Sequence, residues 1–110
     1  MMIAGTTITR RFLSDPGHGW LRVPHSDLDA LGIRDKITMF SYYNDRFAYL
    51  EEDCDLSTYM IALREAGVKI NIAHSTSNSP SHIHRMKRFA GVDFDNFWLD
   101  KLFKTGQLHV

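Results

Sequence analysis

Residues 49–73, YLEEDCDLSTYMIALREAGVKINIA, carry the strongest folding signal in the chain. Apolar side chains recur at positions 56, 59, 60 and 63, the spacing of one face of an α-helix. Gly67 follows this stripe, and glycine readily adopts the left-handed conformation that ends many helices. Residues 68–73 then alternate between apolar and mostly polar side chains, as in a strand with one buried face. The stretch predicts a strand, an acidic turn, a helix capped by Asp53 or Asp55, and a second strand.

Strand and turn signals continue on the N-terminal side of this unit. Residues 6–13 are rich in β-branched side chains, and the sequence SDPGHG that follows is a strong turn signal. A strand resumes at Trp20 and stops at Pro24, and a short helix capped by Ser26 and closed by Gly32 comes next. Residues 37–43 and 46–50 flank a plausible turn at Asn44-Asp45, which predicts a second hairpin.

The C-terminal third contains a polar stretch and a second helical pattern. Residues 74–81, HSTSNSPS, predict an exposed loop, and residues 82–89 are ambiguous between strand and helix. Residues 93–105 predict a helix with one aromatic stripe. The predicted order is β-β-α-β-β-α-β with an added C-terminal helix, an α+β fold with a mostly antiparallel sheet.

The length and the cysteine content bound the class of protein. A chain of 110 residues suits one domain, which buries roughly two-thirds of its unfolded surface without metal or disulfide support. Cys54 is the only cysteine, so no internal disulfide forms and a reducing compartment is expected. No stretch has the apolar length of a membrane span, and the N-terminus lacks the pattern of a signal peptide. We therefore expect a single soluble, cytoplasmic domain over residues 1–110 with no membrane partner.

The charges balance over the whole chain but are segregated along it. There are 13 basic and 13 acidic residues, so the net charge alone indicates neither nucleic acid nor membrane as a partner. Residues 45–65 contain six acidic and two basic residues, a net charge of −4. Residues 68–92 contain four basic residues and no acidic one. This asymmetry indicates two surface patches of opposite sign, although the sequence leaves open whether they meet in space.

Three motifs together resemble a family. They are SDPGHGWLRVP at residues 14–24, LGIRDKIT with a later SY at residues 31–42, and YLEEDCD at residues 49–55. The chain resembles, over roughly residues 12–90, small uncharacterised proteins of bacterial phages, plasmids and integrative elements. The resemblance implies an accessory protein of a mobile element, more often a binder than a metabolic enzyme. It supplies no catalytic residue.

The acidic turn, residues 51–55, has three interpretations. It is the solvated start of a helix, a contact for a protein or a mimic of nucleic-acid charge, or a site for a divalent cation. The calcium-loop spacing is missing, because neither its glycine nor its distal glutamate is present. We predict a partner-binding surface that also includes the turn residue His18 and the nearby Trp20. The predicted partner-binding residues are Glu51, Glu52, Asp53, Asp55, His18 and Trp20.

The basic segment, residues 82–88, is the second candidate. Two histidines at positions 82 and 84 would share a face in a strand and bind a metal only if a third ligand such as His74 folded back. Cationic side chains interleaved with apolar ones also suit phosphate contact and base stacking. The predicted nucleic-acid-binding residues are Lys69, His82, His84, Arg85, Lys87 and Arg88.

The chain lacks a recognisable catalytic pattern. No nucleophile triad, nucleotide loop or spaced carboxylate pair can be assigned, so we predict no enzyme, no cofactor and no metal site. The sequence-based hypothesis is a non-enzymatic protein that occupies a surface of a host protein or nucleoprotein, for example an anti-defence inhibitor of the anti-CRISPR kind. The alternatives are a nucleic-acid-binding accessory protein and a small enzyme or metal-binding protein. The aromatic stripe of the C-terminal helix suggests a homodimer contact through Phe94, Phe97, Trp98 and Leu102.

Overall fold

The computed structural model describes residues 2–78 and 82–89. The described chain forms a six-stranded mixed sheet with two α-helices, which confirms the α+β class. The strands are β1 (Thr7–Ser14), β2 (Gly19–Pro24), β3 (Tyr42–Tyr43), β4 (Phe47–Glu51), β5 (Lys69–Thr76) and β6 (Lys87–Arg88). The helices are α1 (His25–Ala30) and α2 (Asp55–Glu65), and 3₁₀ turns occupy Arg34–Lys36 and His82–Arg85.

The strands are arranged in the order β5-β1-β2-β4-β3-β6. β1 pairs in parallel with β5, and the other neighbouring strands run antiparallel. The predicted element order is therefore confirmed through β5, and β6 is an additional strand. The predicted C-terminal helix and the dimer contact through its aromatic stripe lie outside the described residues.

Both α-helices pack on one face of the sheet. Leu28 of α1 and Tyr59 and Leu63 of α2 are buried there against Leu21 and Leu50 of the central strands. The helix ends follow the predicted chemistry, because the glycines at positions 32 and 67 have φ values of +66° and +72°. The burial of Tyr59 and Leu63 shows that the apolar stripe predicted for α2 faces the core.

The opposite face of the sheet carries a second apolar cluster. Trp20, Tyr42 and Tyr49 point away from the helices and pack with Ile83, which belongs to the second 3₁₀ turn. In the part of the chain that the structure describes, this face is covered by that turn and by no α-helix. The turn thereby holds its neighbour His84 against the sheet.

Two predicted element boundaries are wrong. Residues 74–76 extend β5 instead of starting a loop, because each has a backbone partner in β1 and pairing does not require apolar side chains. Arg11 and Ser14 also bind the hydroxyls of Ser75 and Thr76. The predicted strand at 37–43 shrinks to Tyr42–Tyr43, because the backbone around residues 38–41 turns to face a buried carboxylate, that of Asp55.

The predicted helix caps are also wrong. α1 begins at His25 directly after Pro24, with no side-chain cap from Ser26. α2 follows Cys54, again without a side-chain cap, and the carboxylate of Asp55 points into the core.

No helix among residues 2–78 and 82–89 has the length and apolar character needed to cross a membrane.

Candidate functional site

A cleft of about 760 Å³ lies at one end of the central strands. It collects side chains from the β1–β2 turn, the segment before β3, the acidic turn and the basic segment. Its lining residues are Ser14, Asp15, Gly17, His18, Gly19, Trp20, Phe40, Tyr42, Glu51, Glu52, Asp53, Cys54, His84 and Arg88. The acidic and basic blocks of the sequence therefore do meet in space.

Strand pairing explains why these distant segments meet. Trp20 at the start of β2 lies opposite Glu51 at the end of β4, so the turn before β2 and the turn after β4 share one end of the sheet. The Glu52 N–H donates to the Gly19 carbonyl at 3.1 Å, which ties the two turns together. Arg88 of β6 lies opposite Tyr42 of β3, which brings the basic segment to the same cleft.

A cluster of two histidines and an aspartate forms one wall of the cleft. Nε2 of His84 lies 3.1 Å from Oδ2 of Asp15, and Nδ1 of His18 lies 3.6 Å from Oδ1. The two imidazole rings meet edge to face, with centroids 4.6 Å apart. The Asp15 side chain is only 2% exposed, whereas His18 and His84 are 55% and 32% exposed. The carboxylate is thus a buried anchor, and the histidines face the cleft.

Trp20 forms the floor beneath the two histidines. Its ring stacks on His18 with centroids 5.6 Å apart and an interplanar angle of 14°, and it meets His84 edge-on at 5.0 Å. The indole is 1% exposed, so the prediction of Trp20 as a partner-binding residue is wrong: its ring packs in the apolar cluster under the histidines. Its Nε1 has no hydrogen-bond partner within residues 2–78 and 82–89. A buried donor of this kind normally finds an acceptor, because leaving it unpaired is costly.

The acidic turn is divided between the cleft and the core. Glu51, Glu52 and Asp53 line the cleft, and burial raises the pKa of Glu51 above its ordinary value of 4.5. Asp55 is fully buried and accepts hydrogen bonds from Thr38 and Ser41. The prediction of Asp55 as a partner-binding residue is therefore wrong, since its carboxylate serves the fold.

The basic segment does not form one continuous patch. His84 and Arg88 line the cleft, and Arg88 lies over the Tyr42 ring at 5.1 Å and donates to its hydroxyl at 2.9 Å. The other basic side chains of the segment are exposed outside the cleft lining; they are His82, Arg85 and Lys87. Lys69 lies on β5, at the edge of the sheet opposite β6, about 24 Å away at the usual strand spacing. The grouping of Lys69 with this segment is therefore wrong.

A row of arginines crosses the sheet face that the α-helices leave uncovered. Arg11 of β1 lies opposite Arg22 of β2, Arg22 opposite Tyr49, Tyr49 opposite Tyr42, and Tyr42 opposite Arg88. Residues that are paired in this way project from the same face. Arg22 also lies over the ring of Phe47 at 4.7 Å. We call Arg11, Arg22 and Arg88 the arginine row.

Sequence analysis missed several of these residues. The predicted turn contains Asp15 but assigns it no site role, although an aspartate three residues before a histidine in a tight turn is a usable signal. Its carboxylate accepts hydrogen bonds from the backbone N–H groups of Gly17 and His18, at 3.1 and 2.9 Å. Arg11 and Arg22 carried no signal, because their alignment depends on the register of β1 and β2. His74, the third metal ligand considered from sequence, is an exposed residue of β5 outside the cluster.

Comparison with known proteins adds no assignment: no family model, curated protein or solved structure matches the chain.

Proposed function

We propose that this chain is a non-enzymatic binding protein of a phage or other mobile element, and that its cleft grips a charged segment of a host protein or nucleoprotein. The observation that carries the proposal is the meeting of both charge blocks in one cleft. Glu51, Glu52 and Asp53 present negative charge, and Arg88 presents positive charge across the opening. The cytoplasm is the proposed location, in keeping with a single cysteine that leaves the chain without an internal disulfide.

The side chains around the cleft suit recognition by contact. Aromatic residues and arginine are enriched where protein interfaces concentrate binding energy, and the exposed side chains of Phe40 and Arg88 supply both types here. Phe40 is 41% exposed, and of the three exposed large apolar side chains among the described residues it is the one that lines the cleft. A partner segment that carries a basic side chain next to an apolar one would meet the acids and Phe40 together. Charges of both signs also fix the orientation of that segment.

The test is capture from host lysate with a matched pair of charge-reversal variants. Glu52→Lys changes an exposed acid of the cleft, and Asp45→Lys changes an exposed acid in the β3–β4 turn, outside the cleft lining. We expect wild type and Asp45→Lys to retain the same partner and Glu52→Lys to lose it, with all three melting at similar temperatures. Equal capture by all three proteins would exclude the cleft as the binding surface.

Binding of nucleic acid is the second candidate, and the arginine row favours it. Three guanidinium groups project from one face of the sheet: two on the adjacent strands β1 and β2, and one on β6, beyond β4 and β3. They can contact separate phosphates, and each contact releases counterions. We expect Arg22→Ala to weaken binding to single-stranded DNA or RNA and to reduce the slope of log K against log salt by about 1. Arg64→Ala, an exposed residue on α2, is the control. Absence of any mobility shift at low salt would discard this function.

A further inference from the structure

We infer that Asp15, His18 and His84 form a binding site for a divalent first-row transition metal of the zinc type. The inference does not depend on the proposed function, because it rests on the geometry of three side chains. One ligand atom from each residue lies within 4.8 Å of the other two. These atoms come from two imidazoles and one carboxylate, which are common ligands of such ions.

Two nitrogen–oxygen distances in the cluster are near those of a tetrahedral site. Metal–ligand bonds of 2.0–2.1 Å at a tetrahedral angle separate neighbouring ligand atoms by about 3.3 Å. Oδ2 of Asp15 lies 3.1 Å from Nε2 of His84, and Oδ1 of Asp15 lies 3.6 Å from Nδ1 of His18. All three ligand atoms lie within 4.8 Å of one another, so the ion would have to draw the two partly exposed imidazoles inward to reach tetrahedral separations.

The carboxylate is already fixed in place. Its Oδ1 accepts two backbone hydrogen bonds from the turn, and the Asp15 N–H donates to the His18 carbonyl at 2.9 Å. In metal sites, hydrogen bonds of this kind orient a ligating carboxylate toward the ion. A metal would lose little of its binding energy to ordering this residue.

The two histidines are held by the aromatic floor. His18 lies flat on Trp20, and His84 meets the edge of the same ring. Ile83, the neighbour of His84, is 1% exposed and anchors the 3₁₀ turn on the sheet. Both imidazoles are thus confined near Asp15 by packing, although His84 lies 69 residues from Asp15 along the chain.

The ligand set indicates the class of ion and its coordination. Calcium and magnesium prefer six or more oxygen ligands, which this cluster does not supply. Three protein ligands leave a fourth position for water or for an oxygen or nitrogen of a bound partner, and all three residues line the cleft. The cleft is lined by four acidic residues, Asp15, Glu51, Glu52 and Asp53, against one arginine, Arg88, and this excess of negative charge favours a cation there.

The test is a Zn²⁺ titration of the full chain, purified without a histidine tag and stripped with a chelator. Calorimetry should give one ion per chain, and Co²⁺ should give the intense visible absorption of a tetrahedral site. His18→Gln and His84→Gln should each weaken binding at least tenfold, in keeping with about 10–100-fold effects of lesser changes around metal sites. His74→Gln and His82→Gln replace exposed histidines outside the cluster and should leave the affinity unchanged.

Each outcome decides the inference. Failure of wild type to bind Zn²⁺, or equal affinity in the His18→Gln and His84→Gln variants, would overturn it. Loss of binding in the two control variants instead would place the ion elsewhere and would also overturn it. Because His18 is 55% exposed, His18→Gln should keep the wild-type circular dichroism spectrum, so that lost binding is not lost folding. Mg²⁺ should neither bind with comparable affinity nor displace Zn²⁺.

Discussion

Asp55 gives the sharpest test of how this fold is held together. Its carboxylate is fully buried at the start of α2 and bridges α2 to the segment before β3. Thr38 donates to it from the backbone N–H at 3.1 Å and from the hydroxyl at 2.8 Å, and the hydroxyl of Ser41 donates as well. Replacing Asp55 by asparagine keeps the size of the side chain and exchanges one acceptor oxygen for an NH₂ group that faces donors.

The expected cost follows from these contacts. A hydrogen bond to a charged group is worth about 1.5–3 kcal/mol, and a buried donor left unpaired costs about 1–3 kcal/mol. Removing the buried charge recovers part of the desolvation cost. We therefore expect Asp55→Asn to lower the free energy of unfolding by roughly 2–4 kcal/mol at pH 7. For a domain of this size that is a decrease in Tm of roughly 8–16 °C.

The pH dependence supplies a second signature. Burial raises the pKa of Asp55 above its ordinary value of 3.8, and the hydrogen bonds from Ser41 and Thr38 offset only part of that shift. The folded state therefore keeps this proton at pH values where the unfolded chain has lost it. The contribution of Asp55 to stability is largest at acidic pH and falls as the pH rises from about 3.8 through the raised value. The asparagine variant should lack this component.

The assay is urea unfolding followed by circular dichroism at several pH values between 3 and 8. Asp53→Asn is the control, because Asp53 is an exposed acid of the same turn and should change stability by less than about 0.5 kcal/mol. A Tm for Asp55→Asn within about 2 °C of wild type would refute the reasoning. So would an unchanged pH dependence of the difference between the two proteins.

Two further substitutions test the packing around the site and the core. A Cβ at Gly19 would overlap the ring of Phe12, so Gly19→Ala should destabilise the fold by about 1–3 kcal/mol in a denaturant titration. Gly17→Ala is the control: a Cβ there meets open space, and the variant should be as stable as wild type. The Tyr59 hydroxyl donates to Asp27 at 2.6 Å inside the core. Tyr59→Phe should therefore lower the free energy of unfolding by about 1–3 kcal/mol. An unchanged free energy of unfolding would mean that water replaces the lost donor.

The site could be predicted only in part. Turn and charge signals are local, so the sequence predicts the cleft residues His18, Glu51, Glu52 and Asp53. Their assembly into one cleft with His84 and Arg88 depends on pairing between strands that are distant in sequence. A run of charges therefore shows which side chains are available for binding. It does not show which of them will face one another.

Burial accounts for the main error in the predicted site. Asp55 stands in a run of acidic residues, and a carboxylate in such a run is usually solvated. Its neighbours in the folded chain are donors from residues 38 and 41, which come from a segment 14 to 17 residues away. No periodicity in the sequence indicates that Asp55 pairs with residues 38 and 41. The sequence therefore predicts an exposed carboxylate, whereas the fold buries it.

The sequence by itself determined the features that depend on near neighbours: the α+β class, the stripe of α2 and the glycines that end both helices. These follow from residue periodicity and from local backbone preferences, which act within a few residues. Only the tertiary structure decided the arginine row, the cluster of Asp15 with two histidines and the burial of Asp55. Each of these depends on strand register or on contacts across the fold, and their energies arise only once distant segments are brought together.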